Sequence, residues 1–293
     1  MTIKTLKPLD FGRRRVLTTE EALAQLEGYV PEKLPENQPP INPPQPPGNI
    51  QGSESISGNY ILMAKTNTYA LGVQALRDVY ARGECPGHLT VEIEGSKLVR
   101  PLTFKENLEA RINDYETLTN SDGSERTKEE RLKLFTERWL DSCTGVAYKA
   151  ETTKFKLIPV CRELVTIDKD FNDSYLTVDY NSIAGVELDS SQEGVKYRPV
   201  LTQAEVLEHP AWLTAVEEDR TLLENYTQIV FSELKEKYNR DTGMGFWVRT
   251  ENITENELRA LFVDYLNDNS DANGNNNLSS NGSFLQVAPP KTP

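Results

Sequence analysis

Few residues in this chain combine the types and spacings that chemistry requires. The segment "ECPGHL" sets Cys85 and His88 three apart, a spacing used by metal half-sites, and Cys143 and Cys161 supply two more soft ligands for a Cys3His zinc centre. Such a centre draws on two close pairs, and the sequence offers one. The competing reading is a turn set by Pro86 and Gly87, with two ordinary buried thiols further on. We adopt it: no cofactor and no metal is expected, and Cys85, His88, Cys143 and Cys161 stand as the candidates against that expectation. A Cys85–His88 nucleophile pair would make a cysteine-based hydrolase, but two residues three apart on a proline turn seldom align. The other histidine, His209, immediately precedes Pro210, where a solvent-facing or capping role is expected. "DKDFND" imitates a calcium loop through Asp168, Asp170 and Asn172, with Asp179 twelve along, yet Asp173 occupies the sixth position where the sharp turn wants glycine. A second imitation, Asn269, Asp271, Asn273 and Gly274, has no acid at its twelfth place. Phosphate-cradling glycine loops, nucleophile elbows and paired-histidine zinc helices do not occur. No catalytic residue is therefore assigned.

Residues suited to contacting a partner lie near the amino terminus. Residues 1–17 are basic, with Lys4, Lys7 and the cluster Arg13, Arg14 and Arg15 against Asp10, in a chain whose net charge is −13. An acidic body repels nucleic acid, so only these first residues would favour a polyanion or an acidic protein surface. Residues 18–30 predict a short helix that opens on Thr18 and Glu21 and carries Leu23 and Leu26 on one side. From 31 to 59 the chain is proline-rich. The prolines Pro39, Pro40, Pro43, Pro44, Pro46 and Pro47 predict an extended, polyproline-like arm suited to docking on neighbouring protein subunits.

The body that must position any site runs over 60–267. A repeated device, threonine followed three residues later by glutamate, marks helix starts at Thr103/Glu106, Thr127/Glu130, Thr202/Glu205 and Thr254/Glu257. Tyr69, Val73, Leu76 and Tyr80 predict a helix over about 67–82 that ends at Gly83. A helical hairpin follows: Phe104, Leu108, Ile112 and Tyr115 face Leu132, Phe135 and Trp139 across the turn "NSDGS". The runs "FKLIPV", "ELVTID" and "YLTVDY" read as short strands, as does "GMGFWVRT". Pro210 divides a short helix from a longer one, and 255–266 reads as a closing helix. The fold class expected is α+β and mainly helical, with a small central antiparallel or mixed sheet, an extended N-terminal arm and a low-complexity C-terminal tail over 268–293.

No apolar run reaches the roughly 20 residues that span a bilayer, no signal pattern follows Met1, and three irregularly spaced cysteines fit a reducing compartment. A membrane partner is not expected. The layout of arm (Met1–Ser57), body and tail (Asp268–Pro293) resembles that of tailed-bacteriophage virion structural proteins. That resemblance implies a non-enzymatic subunit of the head, neck, tail or baseplate, assembled in the host cytoplasm and partnered by copies of itself and by neighbouring proteins. The alternatives are a metal-dependent or cysteine-based hydrolase, and a proline-rich adaptor. Outside a virion, a cytoplasmic location is expected.

Overall fold

The computed structural model describes residues 65–83, 89–120, 122–249 and 253–287, together with the strands Glu54–Ile56 and Tyr60–Leu62. The basic extension, the first helix and the proline run lie outside the described residues, as do Cys85 and His88.

The helices follow their capping chemistry. Helix α1 (Tyr69–Ala81) starts on Thr68, whose side chain accepts from the Leu71 amide, and the chain leaves it through Gly83 at φ +76°. Helices α2 (Phe104–Glu116) and α3 (Lys128–Thr136) each open on a closed capping box, from Thr103 and Glu106 and from Thr127 and Glu130. Between them Gly123, at φ +86°, makes the turn. Trp139 falls beyond the end of α3 and is half-buried under Lys65, whose Nζ lies 4.1 Å from the ring centroid, so it is no core residue of the helical hairpin. A single helical turn, α4 (Arg162–Val165), replaces the strand expected at "ELVTID". Helix α5 (Gln203–Glu208) opens on the Thr202/Glu205 box, and α6 (Pro210–Ala215) has proline in its first turn. Glu217 and Glu218, both at positive φ, then separate α6 from α7 (Arg220–Tyr238), a break the sequence did not announce.

The strands overturn the mainly helical expectation. Strand β1 (Glu54–Ile56) pairs with β2 (Tyr60–Leu62), and the last strand, β14 (Leu285–Val287), adds to β2, so the folded body begins at least six residues before Tyr60. Strands β3 (Thr90–Ile93) and β4 (Ser96–Val99) form a hairpin whose two turn residues, Glu94 and Gly95, both have positive φ, the geometry that suits a twisted two-residue turn. At the centre lies a sheet of seven strands rather than a small one. Its members are β5 (Leu140–Tyr148), β6 (Lys154–Ile158), β7 (Leu176–Thr177), β8 (Val186–Asp189), β11 (Phe246–Trp247), β12 (Glu257–Val263) and β13 (Ala272–Asn273). They run in the order β11-β13-β12-β5-β6-β8, with β7 also on β12, and every pairing is antiparallel except β11 with β13. The remaining strands, β9 (Val200–Thr202) and β10 (Thr242–Met244), pair separately.

Strand β12 stands where a helix was expected. Glu257 turns away from a Thr254 cap and enters the sheet, its carboxylate taken by Arg249 and Arg259. Both central strands are covered on two faces, which removes the period-two alternation that would have marked them in the sequence. Along β5 the alternation survives only as a choice of core. Val146 and Tyr148 join a large apolar cluster with α2, α3 and α7, whereas Ala147 joins a second cluster with α1, Leu278 and Phe284. Helices α2, α3, α5, α6 and α7 thus pack in one cluster and α1 and α4 in the other, with the polar C-terminal segment contributing Ala272 and Leu285 to the first and Leu278 and Phe284 to the second. That segment is no free tail: Leu278, Phe284 and Leu285 are buried, and β13 and β14 pair within the body. Among the described residues no helix is long and apolar enough to cross a membrane.

Candidate functional site

The residues from Asp264 to Phe284 trace an irregular path along the sheet, and buried side chains of the central strands hold it there. Asp141, at the start of β5, is the first hub. Its Oδ2 accepts the Ser283 amide at 2.7 Å, its Oδ1 accepts the Asn276 side chain, and its own amide donates to the Ser283 carbonyl at 2.8 Å. Burial pushes its carboxyl up to about 7, with the bonds from Ser283, Asn276 and Trp139 opposing the shift.

Arg259, in the middle of β12, is the second hub. It bonds Glu257 through Nε at 3.0 Å, and its Nη1 donates to the carbonyls of Ser174 (3.3 Å) and Asn276 (3.0 Å), joining two loops to one buried ion pair. Its guanidinium also lies over Tyr175, 5.1 Å from the ring centroid. A bulge between Ala260 and Phe262 turns the Leu261 carbonyl toward the Ser142 hydroxyl, which donates to it. Tyr148 reaches across the sheet to the Gly274 carbonyl at 2.9 Å. A Cβ on Gly274 would stand 2.9 Å from the Tyr148 hydroxyl and 3.0 Å from Val146, so this approach requires glycine.

The asparagines of the segment serve its own turns. Asn267, Asn273 and Asn277 each accept, through Oδ1, the amide two residues on, as Asx-turns do. Asn275, Asn277, Ser280 and Asn281 remain exposed, an outward polar face on a fixed backbone.

Next to this face lies an aromatic edge. Val200 pairs with Met244, and three residues along the chain from each, Tyr197 packs edge-on against Trp247, centroids 4.1 Å apart at 70°. Trp247 is 37% exposed and Val200 44%, with Pro199 exposed between the tyrosine and the valine. Beneath them Asp271 accepts the Gly245 amide at 2.7 Å and the Asn269 side chain at 3.1 Å. Its carboxyl is pushed up to about 7 by burial, with Asp264 and Asp268 adding repulsion.

The residues singled out from sequence fall differently. Cys143 and Cys161 come together through backbone, the Cys161 amide bonding the Cys143 carbonyl at 2.9 Å. Their thiols turn to the Pro101 carbonyl and to Glu163, and burial raises both, Cys143 to about 12, which keeps them from the thiolate form a nucleophile or zinc ligand needs. His209 holds the cap position between α5 and α6, its amide bonding the Val206 carbonyl, but its ring makes no capping bond and is buried rather than solvent-facing, stacked on Phe246. Its pKa falls to about 4 through burial, with Arg198 adding repulsion. Asp168 and Asp179 each bond an amide two residues on, so the calcium-like run is a pair of turns. Among the described residues no group of three or more His, Cys, Asp or Glu is placed to hold a metal ion. The residues proposed for partner binding, Arg13–Arg15, Leu23, Leu26 and Pro39–Pro47, lie outside the described residues. Sequence reading missed Asp141 and Arg259 as buried anchors of the segment and Tyr197 with Trp247 as an aromatic edge. The available signal was the apolar set Leu278, Phe284 and Leu285, which a free tail has no use for.

No family model matches the chain, and no curated relative matches it by sequence. One solved structure is similar, described as "Accommodation of massive sequence variation in Nanoarchaeota by the C-type lectin fold". It is 14% identical, aligns over 82% of this chain and the whole of its own, and has a TM-score of 0.48.

Proposed function

We propose that this protein is a non-enzymatic binding subunit of a larger protein assembly, attached to neighbouring subunits through residues 1–50 and presenting the polar face and aromatic edge of its body to partners. One observation carries the reading. The buried side chains of Asp141 and Arg259 reach into the segment 264–284: Asp141 holds the Ser283 amide and the Asn276 side chain, and Arg259, besides its bonds to Glu257 and Ser174, donates to the Asn276 carbonyl. Buried polar groups used this way fix an irregular surface in one conformation, and a fixed surface binds with less ordering entropy to lose. The basic cluster Arg13–Arg15 complements a chain of net charge −13, which supports attachment to acidic neighbours, copies of this body among them. A virion of a tailed phage is the setting that the basic extension and proline-rich arm, the part of the layout left standing, resemble.

Deletion of residues 1–50 tests this function. The truncated protein is expected to keep its far-ultraviolet circular dichroism and cooperative melting while failing to enter the high-mass species formed by the full chain in sedimentation velocity. Entry of the truncated protein at the full-chain level would overturn the proposal.

A further inference from the structure

We propose that the Tyr197–Trp247 edge receives the proline ridge Pro40–Pro47 of a second copy of this chain; the inference rests on the assembly reading above and names the partner and the receptor. The receptor is built for a ligand without amide donors. On one side β11 is already paired with β13, and on the other the stretch 197–200 runs beside 244–247, as the Val200–Met244 pair and the Tyr197–Trp247 contact fix it. What remains open is a surface of rings and aliphatic carbon: Trp247, the edge of Tyr197, Pro199 and Val200. Two ionisable groups at its margins are committed elsewhere, Arg198 to Glu205 at 2.6 Å and Asp271 to the Gly245 amide at 2.7 Å.

The chain itself supplies a ligand of that chemistry. A polyproline helix brings every third residue to one edge, and the sequence spacing of Pro40, Pro43 and Pro46, and of Pro44 and Pro47, matches that period. Proline rings laid on an exposed indole are the chemistry of aromatic-lined proline receptors, and the preformed extended backbone loses little entropy on docking. Pro47 precedes β1 by seven residues, so every copy carries one ridge and one receptor. Exchange between different patches is heterologous and builds a ring or an open filament.

The test uses the full chain and follows self-association by sedimentation equilibrium. It compares wild type, Trp247→Ala, a variant with Pro40, Pro43, Pro44, Pro46 and Pro47 changed to serine, the two combined, and Trp247→Phe. Loss of an aromatic anchor is expected to weaken association about tenfold or more. The proline variant should weaken it equally, the combined variant no further, and Trp247→Phe should recover most of the affinity. Melting midpoints check that each variant is folded. If Trp247→Ala associates as wild type while deletion of residues 1–50 abolishes association, the receptor assignment fails and the assembly reading stands. If the deletion also associates normally, or the full chain stays monomeric throughout, both fail. Additive losses in the combined variant would mean that ridge and edge meet different partners, which also overturns the assignment.

Discussion

Replacing Gly72 with alanine tests the contact that ties the polar segment to the helix across the sheet. On an exposed helix this change would stabilise by about 1 kcal/mol, because alanine is the better helix former. Here the new Cβ would stand 2.0 Å from Cε2 and 2.5 Å from Cδ2 of Phe284, against the roughly 3.5–4.0 Å of an unstrained carbon contact. The ring has little room to yield. It is 1% exposed, packs edge-on against Tyr69 at 5.2 Å, and lies 2.7 Å from where a Cβ on Gly282 would sit. Overpacking costs about 1–3 kcal/mol, and a shift this large belongs at the upper end, which leaves a net loss of about 2 kcal/mol after the helix gain. Phe284→Ala alone should cost about 3–5 kcal/mol through lost burial and a cavity. In the double variant the methyl added at position 72 enters that cavity and the helix gain returns, so the pair should be no less stable than Phe284→Ala and clearly better than the sum. Urea unfolding with an unchanged m-value measures all three, and thermal midpoints should follow at about 2–4 °C per kcal/mol. A neutral Gly72→Ala, or strictly additive losses, would refute the contact and with it the anchoring of the segment.

Two further expectations follow from the buried ionisable groups. Asp141 is raised from 3.8 to about 7, and Asp271 likewise, so the folded state keeps their protons while the unfolded chain has released them. Their contribution is whole below about pH 4 and is lost as pH rises to about 7, on the order of 4 kcal/mol for Asp141 at about 1.36 kcal/mol per pH unit. His209, lowered to about 4, opposes this with one proton below its ordinary 6.5, since protonation favours the unfolded chain. Stability by urea unfolding should therefore decline from about pH 5 to 7, and Asp141→Asn should flatten the slope; an unchanged slope would show that Asp141 is ionised in the fold. Arg111 is fully buried and donates to the Tyr226 hydroxyl at 2.7 Å and to the carbonyls of Asp264 and Arg138 at 2.8 Å each. Arg111→Met strands these acceptors and should cost about 3 kcal/mol by chemical denaturation, and a loss under about 1 would refute their dependence on it.

Local chemistry was legible from the sequence wherever it is self-contained. A threonine and a glutamate three apart satisfy amides of their own helix, so Thr103/Glu106, Thr127/Glu130 and Thr202/Glu205 announced their helices, and Gly83 and Gly123 their turns. The same letters at Thr254 and Glu257 misled, because the nearest cations, Arg249 and Arg259, offered that carboxylate a buried ion pair inside a strand. Strands β5 and β12 were illegible for a related reason: covered on both faces, they keep no alternation, and what makes them strands is each other. The polar C-terminal segment was read as a tail from its composition. Its few apolar residues suffice to fold it because α1 and the sheet supply the other half of the contacts of Leu278 and Phe284, the large core cluster takes Leu285, and Asp141 and Arg259 are partners for its main chain. Residue type settled what could bond locally; only the tertiary structure decided which distant groups were near enough to compete, since a buried charge takes the partner that best offsets its lost hydration.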